Sequence, residues 1–417
     1  MKKKINVGIL SLGCPRNLVD SENILGRLNL KGYNIVDMQK ADIGIVNTCA
    51  FIEDAKRESI DAILDLAQLK KAGTLKKIIA YGCLVERYKD KLRKELPEVD
   101  AFVGRVSLNH SRKSYALTEK HFAYLKICES CVNNCSYCII PKIKSKFSSL
   151  DIDSLVNKAK EFDRKKISEL NIIGQDISAY GMDLYAKPRL EDLIRKIVKS
   201  THNIGWFRLL YLYPSRITDG LLDLIKNEPR ICKYIDLPIQ HINDRILRLM
   251  NRHTAKKEIR KLIDKIRRQI PQAALRTSVI VGFPTETEKE FNELLDFIKE
   301  VKFERLGAFT YSREEGTKAY DLKGQVPKKV KIERFDAVMQ AQRDVSGEVN
   351  RKFMGKTIDV LIDAKENDSY LGRSQYDAPE VDGNVYVKSD VVLKPGEFAK
   401  VKITDTLEYD LVGEVAK

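Results

Sequence analysis

The chain has 417 residues, of which 43% are hydrophobic and 32% charged, and it carries a formal net charge of +15 with a pI near 9.2. This length allows two or three domains, and the balance is that of an ordinary soluble protein. No run of about eighteen apolar residues occurs, which argues against a membrane span. The basic charge is typical of a nucleic-acid partner, and equally typical of a lysine-rich proteome.

Residues 1–115 alternate between strand-like and helical segments. The apolar run after the basic start is short and contains Gly8 and Gly13, which predicts a first strand and not a signal peptide. Eight cysteines without a secretory signal predict a reducing cytoplasm and metal ligation. We expect strands at 5–10, 43–46 and 78–81, a helix that opens at 20–22, and an amphipathic helix over 51–69. This alternation predicts a flavodoxin-like parallel α/β domain.

Three cysteines recur once per strand–helix unit of this domain. Cys14, Cys49 and Cys83 each follow a predicted strand, and they are 35 and 34 residues apart. In a parallel sheet such residues converge at the carboxyl edge, where these folds bind ligands. Three thiolates there can hold an iron–sulfur cluster that is one ligand short. The alternative is three buried cysteines that pack as small apolar residues.

A second set of three cysteines lies in one short loop. Cys131, Cys135 and Cys138 have C-x3-C-x2-C spacing, which can donate three sulfurs to three irons of a cubane cluster. The fourth iron would lack a protein ligand and could bind a substrate or cofactor. A zinc site would need four closed nitrogen or sulfur ligands, and a disulfide framework belongs to small secreted domains.

Residues 116–350 contain six strand-like segments separated by helical stretches, which predicts a partial (β/α)6 barrel. The cysteine loop follows the first of these strands, at the carboxyl face where barrel enzymes place their chemistry. His241 is interpreted as a polar wall residue in preference to a proton carrier. Cys128 and Cys232 are interpreted as packing residues. Residues 328–353 read as a charged helical connector. The six strands are expected at 123–127, 170–173, 207–211, 234–237, 278–281 and 308–311.

Residues 351–417 predict a small all-β domain, with turns at Asp382-Gly383 and Pro395-Gly396. Ten Lys and Arg against thirteen Asp and Glu give it a net charge of −3, while the rest of the chain carries +18. Because phosphate binding relies on Lys and Arg, an acidic domain suits a basic protein partner better than RNA.

The loop of Cys131, Cys135 and Cys138, with the aromatic Tyr137 before the last cysteine, closely resembles that of the radical S-adenosylmethionine (SAM) enzymes. The resemblance implies that SAM chelates the open iron of a 4Fe-4S cluster and is cleaved to a 5′-deoxyadenosyl radical. That radical removes hydrogen from an unactivated carbon. The expected cofactor contacts are Tyr137, Gln175, Asp176, Ser278 and Gly282.

Further motifs resemble the methylthiotransferases within that superfamily, over essentially the whole chain. They are the segments 11–22, 47–52 and 82–84, which surround Cys14, Cys49 and Cys83. The resemblance implies a second, auxiliary 4Fe-4S cluster on these cysteines and two uses of SAM, as methyl donor and as radical source. It also implies that the C-terminal domain is a TRAM domain.

Two branches of the family compete, and segments 11–15, 234–241 and 372–383 resemble the RimO-type branch. This branch methylthiolates the β-carbon of an aspartate in small-subunit ribosomal protein S-twelve, either free or within the subunit. The other branch modifies an adenosine of transfer RNA. A non-enzymatic iron–sulfur scaffold or RNA-binding module is a third alternative. The reductant protein and sulfur donor are not identified by the sequence.

One segment departs from the family pattern. Residues 144–149 read Lys-Ser-Lys-Phe-Ser-Ser where relatives usually have arginines. Lysine keeps the charge and loses the fork-shaped geometry of arginine, so a substrate or cofactor contact in this segment is in doubt.

Overall fold

The structure is a computed structural model that describes residues 4–105 and 115–416. The N-terminal domain is a five-stranded parallel sheet of order β2-β1-β3-β4-β5 with helices α1–α3. This is the strand order of flavodoxin-like folds, as the sequence predicts. The elements are β1 (Asn6–Ser11), α1 (Pro15–Leu30), β2 (Asn34–Ile35), β3 (Ile43–Thr48), α2 (Glu53–Lys71), β4 (Lys77–Gly82), α3 (Cys83–Glu95) and β5 (Ala101–Val103).

The first helix begins earlier than expected. The prediction of a helix start at 20–22 is wrong, because α1 begins at Pro15 directly after Cys14. Proline at the first helical position needs no hydrogen-bond partner for its nitrogen and has φ preset for a helix. Asp20 and Glu22 are instead buried inside α1, where they contact the neighbouring domain.

The central domain is an open barrel of six parallel strands, β6, β9, β10, β11, β12 and β13. They form two sheets, of orders β10-β9-β6 and β11-β12-β13, which a bridge between Phe207 and Ile231 connects. Within the described residues β6 and β13 do not pair, so the barrel is open between its first and last strands. The elements are β6 (Phe122–Lys126), β7 (Cys128–Glu129), α4 (Ile140–Ile143), β8 (Ser148–Ser149), α5 (Ile152–Arg164), β9 (Glu169–Ile173), α6 (Met182–Tyr185), α7 (Leu190–Lys199), β10 (Trp206–Leu209), α8 (Asp219–Asn227), β11 (Tyr234–Asp236), α9 (Asp244–Leu249), α10 (Lys256–Gln269), β12 (Ala274–Val281), α11 (Glu288–Val301), β13 (Arg305–Thr310) and α12 (Lys328–Arg351).

Helix α12 is the sixth helix of the barrel and not a free connector. It packs on β13 and α11, and Val338, Ala341, Val345 and Val349 on one of its faces are buried. These positions follow the three- and four-residue spacing of one helix face. The many charged residues between them hid this pattern in the sequence.

The C-terminal domain is a closed five-stranded barrel of order β14-β15-β16-β18-β17. Its core contains Val360, Ile362, Val385, Val401 and Ile403, each fully buried. The strands are β14 (Thr357–Glu366), β15 (Ser369–Ser374), β16 (Val385–Lys388), β17 (Phe398–Thr406) and β18 (Leu411–Val415). The predicted turns at 382–383 and 395–396 fall in the connections on either side of β16.

The segment after β15 packs against the N-terminal ends of the central strands. Asp377 pairs with Arg305 of β13, with its Oδ1 2.8 Å from the arginine Nε, and Asp382 accepts a 2.6 Å hydrogen bond from Tyr234 of β11. Glu380 accepts one from Tyr124 of β6 at 2.8 Å. Part of the acidic charge of this domain therefore binds the central barrel, so it does not all face a partner. The acidic charge of this domain is therefore weaker support for a basic protein partner than the sequence alone suggests.

Among the described residues, no helix combines the length and hydropathy that a membrane crossing requires.

Candidate active site

The loop of Cys131, Cys135 and Cys138 (the radical-site trio) leaves the carboxyl end of β6. The backbone N–H and the Nδ2 of Asn133 both lie 3.4 Å from the Cys131 sulfur. Arg252 places Nη1 4.0 Å from the sulfur of the buried Cys135. N–H donors and positive charge around the sulfurs are the usual surroundings of an iron–sulfur cluster.

A hydrogen-bonded network holds this loop against β9. Asp176, which follows β9 and is buried, accepts a 2.7 Å hydrogen bond from the Asn133 amide and a 2.6 Å one from Arg216. Arg216 also donates to the Asn133 Oδ1 at 2.8 Å. The other carboxylate oxygen accepts from the backbone N–H and hydroxyl of Ser178. Both carboxylate oxygens of Asp176 are therefore engaged within the chain, one of them in fixing the loop, and its direct contact to the cofactor stays a prediction.

Gln175, beside Asp176, has a buried amide whose nitrogen and oxygen both lack a hydrogen-bond partner within the described part of the chain. A buried polar group without a partner is costly unless a ligand or water satisfies it. Gln175 follows Gly174, next to the radical-site trio. Its amide therefore suits a polar ligand bound at this end of the barrel.

The other predicted cofactor residues lie around the same carboxyl edge. Tyr137 packs against the apolar cluster that includes Phe283 and Tyr311, and burial raises its pKa well above the usual range. Ser278 is a half-buried residue of β12. Gly282 has φ +70°, and a Cβ there would clash with the aliphatic stem of Lys331. The structure thus gives a packing reason for Gly282, and its contact with the cofactor stays a prediction.

Cys14, Cys49 and Cys83 (the auxiliary trio) lie at the carboxyl ends of β1, β3 and β4, which are neighbours in the sheet. Cys14 directly precedes α1 and Cys83 is the first residue of α3, so both cysteines lie at helix N-termini. The partial positive charge there stabilises a thiolate. The three cysteines thus follow neighbouring strands at one edge of the sheet, and their convergence on a shared cluster stays a prediction.

Asn17 connects the loops that carry the auxiliary trio, and its role was missed in the sequence. Its Nδ2 donates to the carbonyl oxygens of Leu12 at 3.0 Å and Thr48 at 3.3 Å, while its Oδ1 lies 3.9 Å from the Cys83 sulfur. One side chain thus contacts a residue two positions before Cys14, the residue directly before Cys49, and Cys83 itself. The only sequence signal was its place three residues after Cys14.

The three auxiliary thiols influence one another electrostatically. Burial raises the pKa of Cys83 to about 12; Lys144 opposes this rise, and the Cys49 and Cys14 thiols add to it. Burial likewise raises the pKa of Cys49. The pKa of Cys14 is lowered even though burial acts to raise it, because Arg16 and Lys144 favour its thiolate. Bound metal would supply the positive charge that three gathered thiolates require.

The N-terminal domain bridges the open side of the barrel. Asp20 of α1 pairs with Lys126 at the end of β6. At the opposite edge, buried Glu314, which follows β13, lies 3.1 Å from Lys56 and 2.9 Å from Arg87. Arg87 also donates to the carbonyl oxygen of Ala50, beside Cys49, at 2.7 Å. These contacts hold the auxiliary trio over the carboxyl face that carries the radical-site trio.

The altered segment that begins at Lys144 serves this domain contact. Lys144 is almost fully buried, with Nζ 2.8 Å from Glu129 and 3.9 Å from Asp20. Glu129 also pairs with Lys126 at 2.7 Å and Arg105 at 3.0 Å. The lysine charge is therefore used within the chain, between the two trios.

His241 and the two remaining cysteines lie outside both trios. The His241 Nε2 is 3.1 Å from Glu286 and its Nδ1 accepts from the backbone N–H of Asn243 at 3.0 Å, so both ring nitrogens are occupied. Cys128 and Cys232 lie in apolar core clusters.

The donor sets fit iron–sulfur clusters better than the alternatives. All eight cysteines are described, and none forms a disulfide. In the described ranges no three His, Cys, Asp or Glu side chains are grouped to hold one metal ion. A cubane cluster places its cysteine ligands on different irons, so it does not require them to converge on one point. Together with the unpartnered Gln175 amide, this arrangement suits clusters with an open iron.

A flavodoxin-like domain, an open six-stranded barrel with a three-cysteine loop and a small β-barrel define the class of radical SAM enzymes with accessory domains. Family models match each part: "Uncharacterized protein family UPF0004" over residues 6–104, "Radical SAM superfamily" over 125–298 and "TRAM domain" over 354–416. The curated ribosomal protein uS12 methylthiotransferase RimO of Clostridioides difficile is 46% identical over 99% of both chains. That of Caldanaerobacter subterraneus is 48% identical over 98% of this chain and 99% of its own. The chain therefore belongs to the RimO family of methylthiotransferases.

Solved structures agree on the fold. The radical SAM methyltransferase TsrM of Kitasatospora setae, with cobalamin and a 4Fe-4S cluster bound, has a TM-score of 0.53 at 10% identity, covering 88% of this chain and 81% of its own. The cobalamin-dependent SAM radical enzyme OxsB has a TM-score of 0.50 at 11% identity, covering 82% of this chain and 56% of its own. At such low identity these matches concern the fold alone.

Proposed function

We propose that this protein methylthiolates the β-carbon of an aspartate in ribosomal protein uS12, using SAM and two 4Fe-4S clusters. The observation that carries the proposal is the placement of two cysteine trios at the carboxyl edges of two packed domains. Relatives named as uS12 methylthiotransferases match the chain over nearly its whole length, which supports the same reaction. Cys131, Cys135 and Cys138 hold one cluster, and Cys14, Cys49 and Cys83 hold the other.

When bound, the clusters and SAM supply the chemistry: reductive cleavage to a carbon radical at one trio, and a methylthio group at the other. The residues of the chain position these groups. Asn133, Asp176 and Arg216 fix the radical-site loop, and the Gln175 amide offers a donor and an acceptor to the polar end of SAM. Asn17 fixes the auxiliary loops, and the paired charges around Glu314 and Lys126 hold the domains together so that the distance between the trios is constant.

His241 has no proton-transfer role in this proposal, because hydrogen abstraction by a radical needs no general base and both ring nitrogens are already bonded. Its pairing with Glu286, which in turn binds Arg334 of α12 at 2.8 Å, stabilises the carboxyl end of β11. We also place the reaction in the cytoplasm, where eight unpaired cysteines would persist.

A protein substrate is favoured over transfer RNA. The relatives carry the name of a protein substrate, ribosomal protein uS12. An assay with free uS12 and with the ribosomal subunit shows which of the two the enzyme methylthiolates.

The test is methylthiolation of purified uS12 by anaerobically reconstituted protein with SAM and a reductant, read by mass spectrometry. We expect the mass of a methylthio group on one aspartate, with 5′-deoxyadenosine as co-product. Cys131→Ala should abolish both, while Cys232→Ala, which changes a cysteine outside both trios, should retain them. Modification of transfer RNA with none on uS12 would refute the proposal, and so would absence of 5′-deoxyadenosine from fully loaded protein.

A further inference from the structure

Arg16 is a cation that lies between the two cysteine trios. Its Nε is 3.3 Å from the sulfur of Cys14, in the N-terminal domain. Its Nη1 donates a 2.8 Å hydrogen bond to the carbonyl oxygen of Gly174, at the end of β9 in the central barrel. The guanidinium lies 4.4 Å from the centroid of the Tyr211 ring. These contacts fix the side chain in the gap between the two domains.

The charge of Arg16 acts on both trios. It favours the thiolate of Cys14, whose pKa is lowered although burial acts to raise it. It also opposes the rise that burial causes in the pKa of Cys138, which belongs to the radical-site trio. In the proposed function, the reacting carbon of the substrate must lie between the two trios. Arg16 lies in the same place.

Arg16 has binding capacity that the chain does not use. Within the described residues its Nη2 has no hydrogen-bond partner, and the Arg16 residue is only partly buried. No carboxylate of the described chain lies within 4 Å of this guanidinium, as an ion pair would require. A guanidinium normally pairs with a carboxylate when it is partly buried.

Other cations near the trios are already engaged. Lys144 pairs with Glu129, and Arg216 with Asp176 at 2.6 Å. Arg276 lies 3.3 Å from Asp236. Arg252 donates to the carbonyl oxygen of Pro238 at 2.5 Å and is buried. Each of these cations pairs with a carboxylate or lies buried, whereas Arg16 has no carboxylate partner in the described chain and is only partly buried.

We propose that Arg16 binds the side-chain carboxylate of the substrate aspartate and so selects an acidic residue for modification. The proposal rests on the proposed function, in which the β-carbon that reacts is bonded directly to that carboxylate. A carboxylate that enters a partly buried site needs a charged partner there, and the planar fork of arginine matches its two oxygens. The ring of Tyr211 and the Gly174 carbonyl keep the guanidinium oriented, so little freedom is lost on binding.

The test combines a change in the enzyme with a change in the substrate. Binding of uS12 and of uS12 with the target aspartate replaced by asparagine is measured by titration calorimetry, on reconstituted protein without reductant so that no turnover occurs. The wild-type protein should bind the aspartate form roughly 10- to 100-fold more tightly, as expected for a charge-assisted pair. Arg16→Met should lose that preference to within about twofold, and Arg16→Lys should keep part of it.

Controls separate recognition from structure. Arg57→Met removes an exposed arginine of α2 and should match the wild-type protein in both titrations. Iron content is measured for each variant, and the titrations are compared at equal iron content. The proposal is overturned if the wild-type protein binds both forms of uS12 equally, or if R16M keeps the full preference. Wild-type protein that never modifies uS12 would instead refute the proposed function itself.

Discussion

Gly13 lies directly against Cys49: a Cβ built on Gly13 would be 2.8 Å from the Cys49 Cβ and 2.9 Å from its sulfur. The backbone of Gly13 has φ +84°, which L side chains rarely adopt. The loop that carries Cys14 therefore crosses over Cys49 at a distance that only glycine allows. This close approach, together with Asn17, determines how the auxiliary trio is assembled.

Gly13→Ala should disrupt the auxiliary site and leave the radical site intact. We expect reconstituted protein to contain about half of the wild-type iron, because one of two four-iron clusters is lost. Iron analysis and electron paramagnetic resonance measure this outcome. Gly73→Ala is the matched control, since Gly73 has a similar φ of +81° and no atom within 4 Å of the built Cβ. Equal iron in G13A and G73A would show that the close approach is unimportant.

Glu314→Ala should loosen the N-terminal domain from the barrel. The substitution leaves Lys56 and Arg87 without their shared carboxylate in a buried place, which costs about 3 kcal/mol. Hydrogen exchange should rise in α2 and α3, and remain unchanged in the C-terminal domain. Glu315→Ala, a change in an exposed neighbour, is the control. Unchanged exchange in α2 and α3 of E314A would contradict the role given to this contact.

Acid should weaken the contact between the C-terminal domain and the central barrel. Burial acts to raise the pKa of Glu169, but Arg373 and Arg208 outweigh it and the pKa is lowered. A carboxyl whose pKa is lower in the folded state stabilises the fold above its ordinary pKa of about 4.3, and that stability is lost as pH falls below it. The contact at Glu169 should therefore fail in this acid range.

Glu169→Gln tests this pH dependence. The variant should be less stable at neutral pH, by about 3 kcal/mol, because two buried arginines lose their carboxylate. Its stability should also fall less steeply than that of the wild-type protein between about pH 5 and about pH 3. Thermal unfolding across this range measures both effects, with exposed Glu366→Gln as control. Parallel pH profiles for E169Q and the wild-type protein would count against this explanation.

The sequence predicted the local order of the chain well. Apolar runs located the principal strands of the parallel sheets, and the recurrence of Cys14, Cys49 and Cys83 after three strands indicated their shared edge. The domain boundaries at 115 and 350 stay predictions, and residues 106–114 beside the first lie outside the described residues. The start of α1 differs from the expected one because Pro15, whose φ suits the first helical position, begins the helix before the acidic residues that resemble an N-cap.

Contacts between domains could not be predicted from periodicity. A hydrophobic pattern shows which face of an element is buried, and not which domain covers it. Arg16 and Gly174 are 158 residues apart, and Arg87 and Glu314 are 227 apart. Asp20 and Glu22 look like surface charges in the sequence and are buried because residues of the central domain pair with them. Contacts of Asp377 and Asp382 with the central barrel are likewise invisible in the sequence.

Counting the metal centres tests the central claim most directly. Iron and sulfide analysis with Mössbauer spectroscopy is carried out on anaerobically reconstituted wild-type protein and on two triple cysteine-to-alanine variants, one for each trio. We expect about eight iron atoms in the wild-type protein, and one intact 4Fe-4S cluster with half of the iron in each variant. Loss of all iron on removing a single trio, or zinc in place of iron at either, would contradict it.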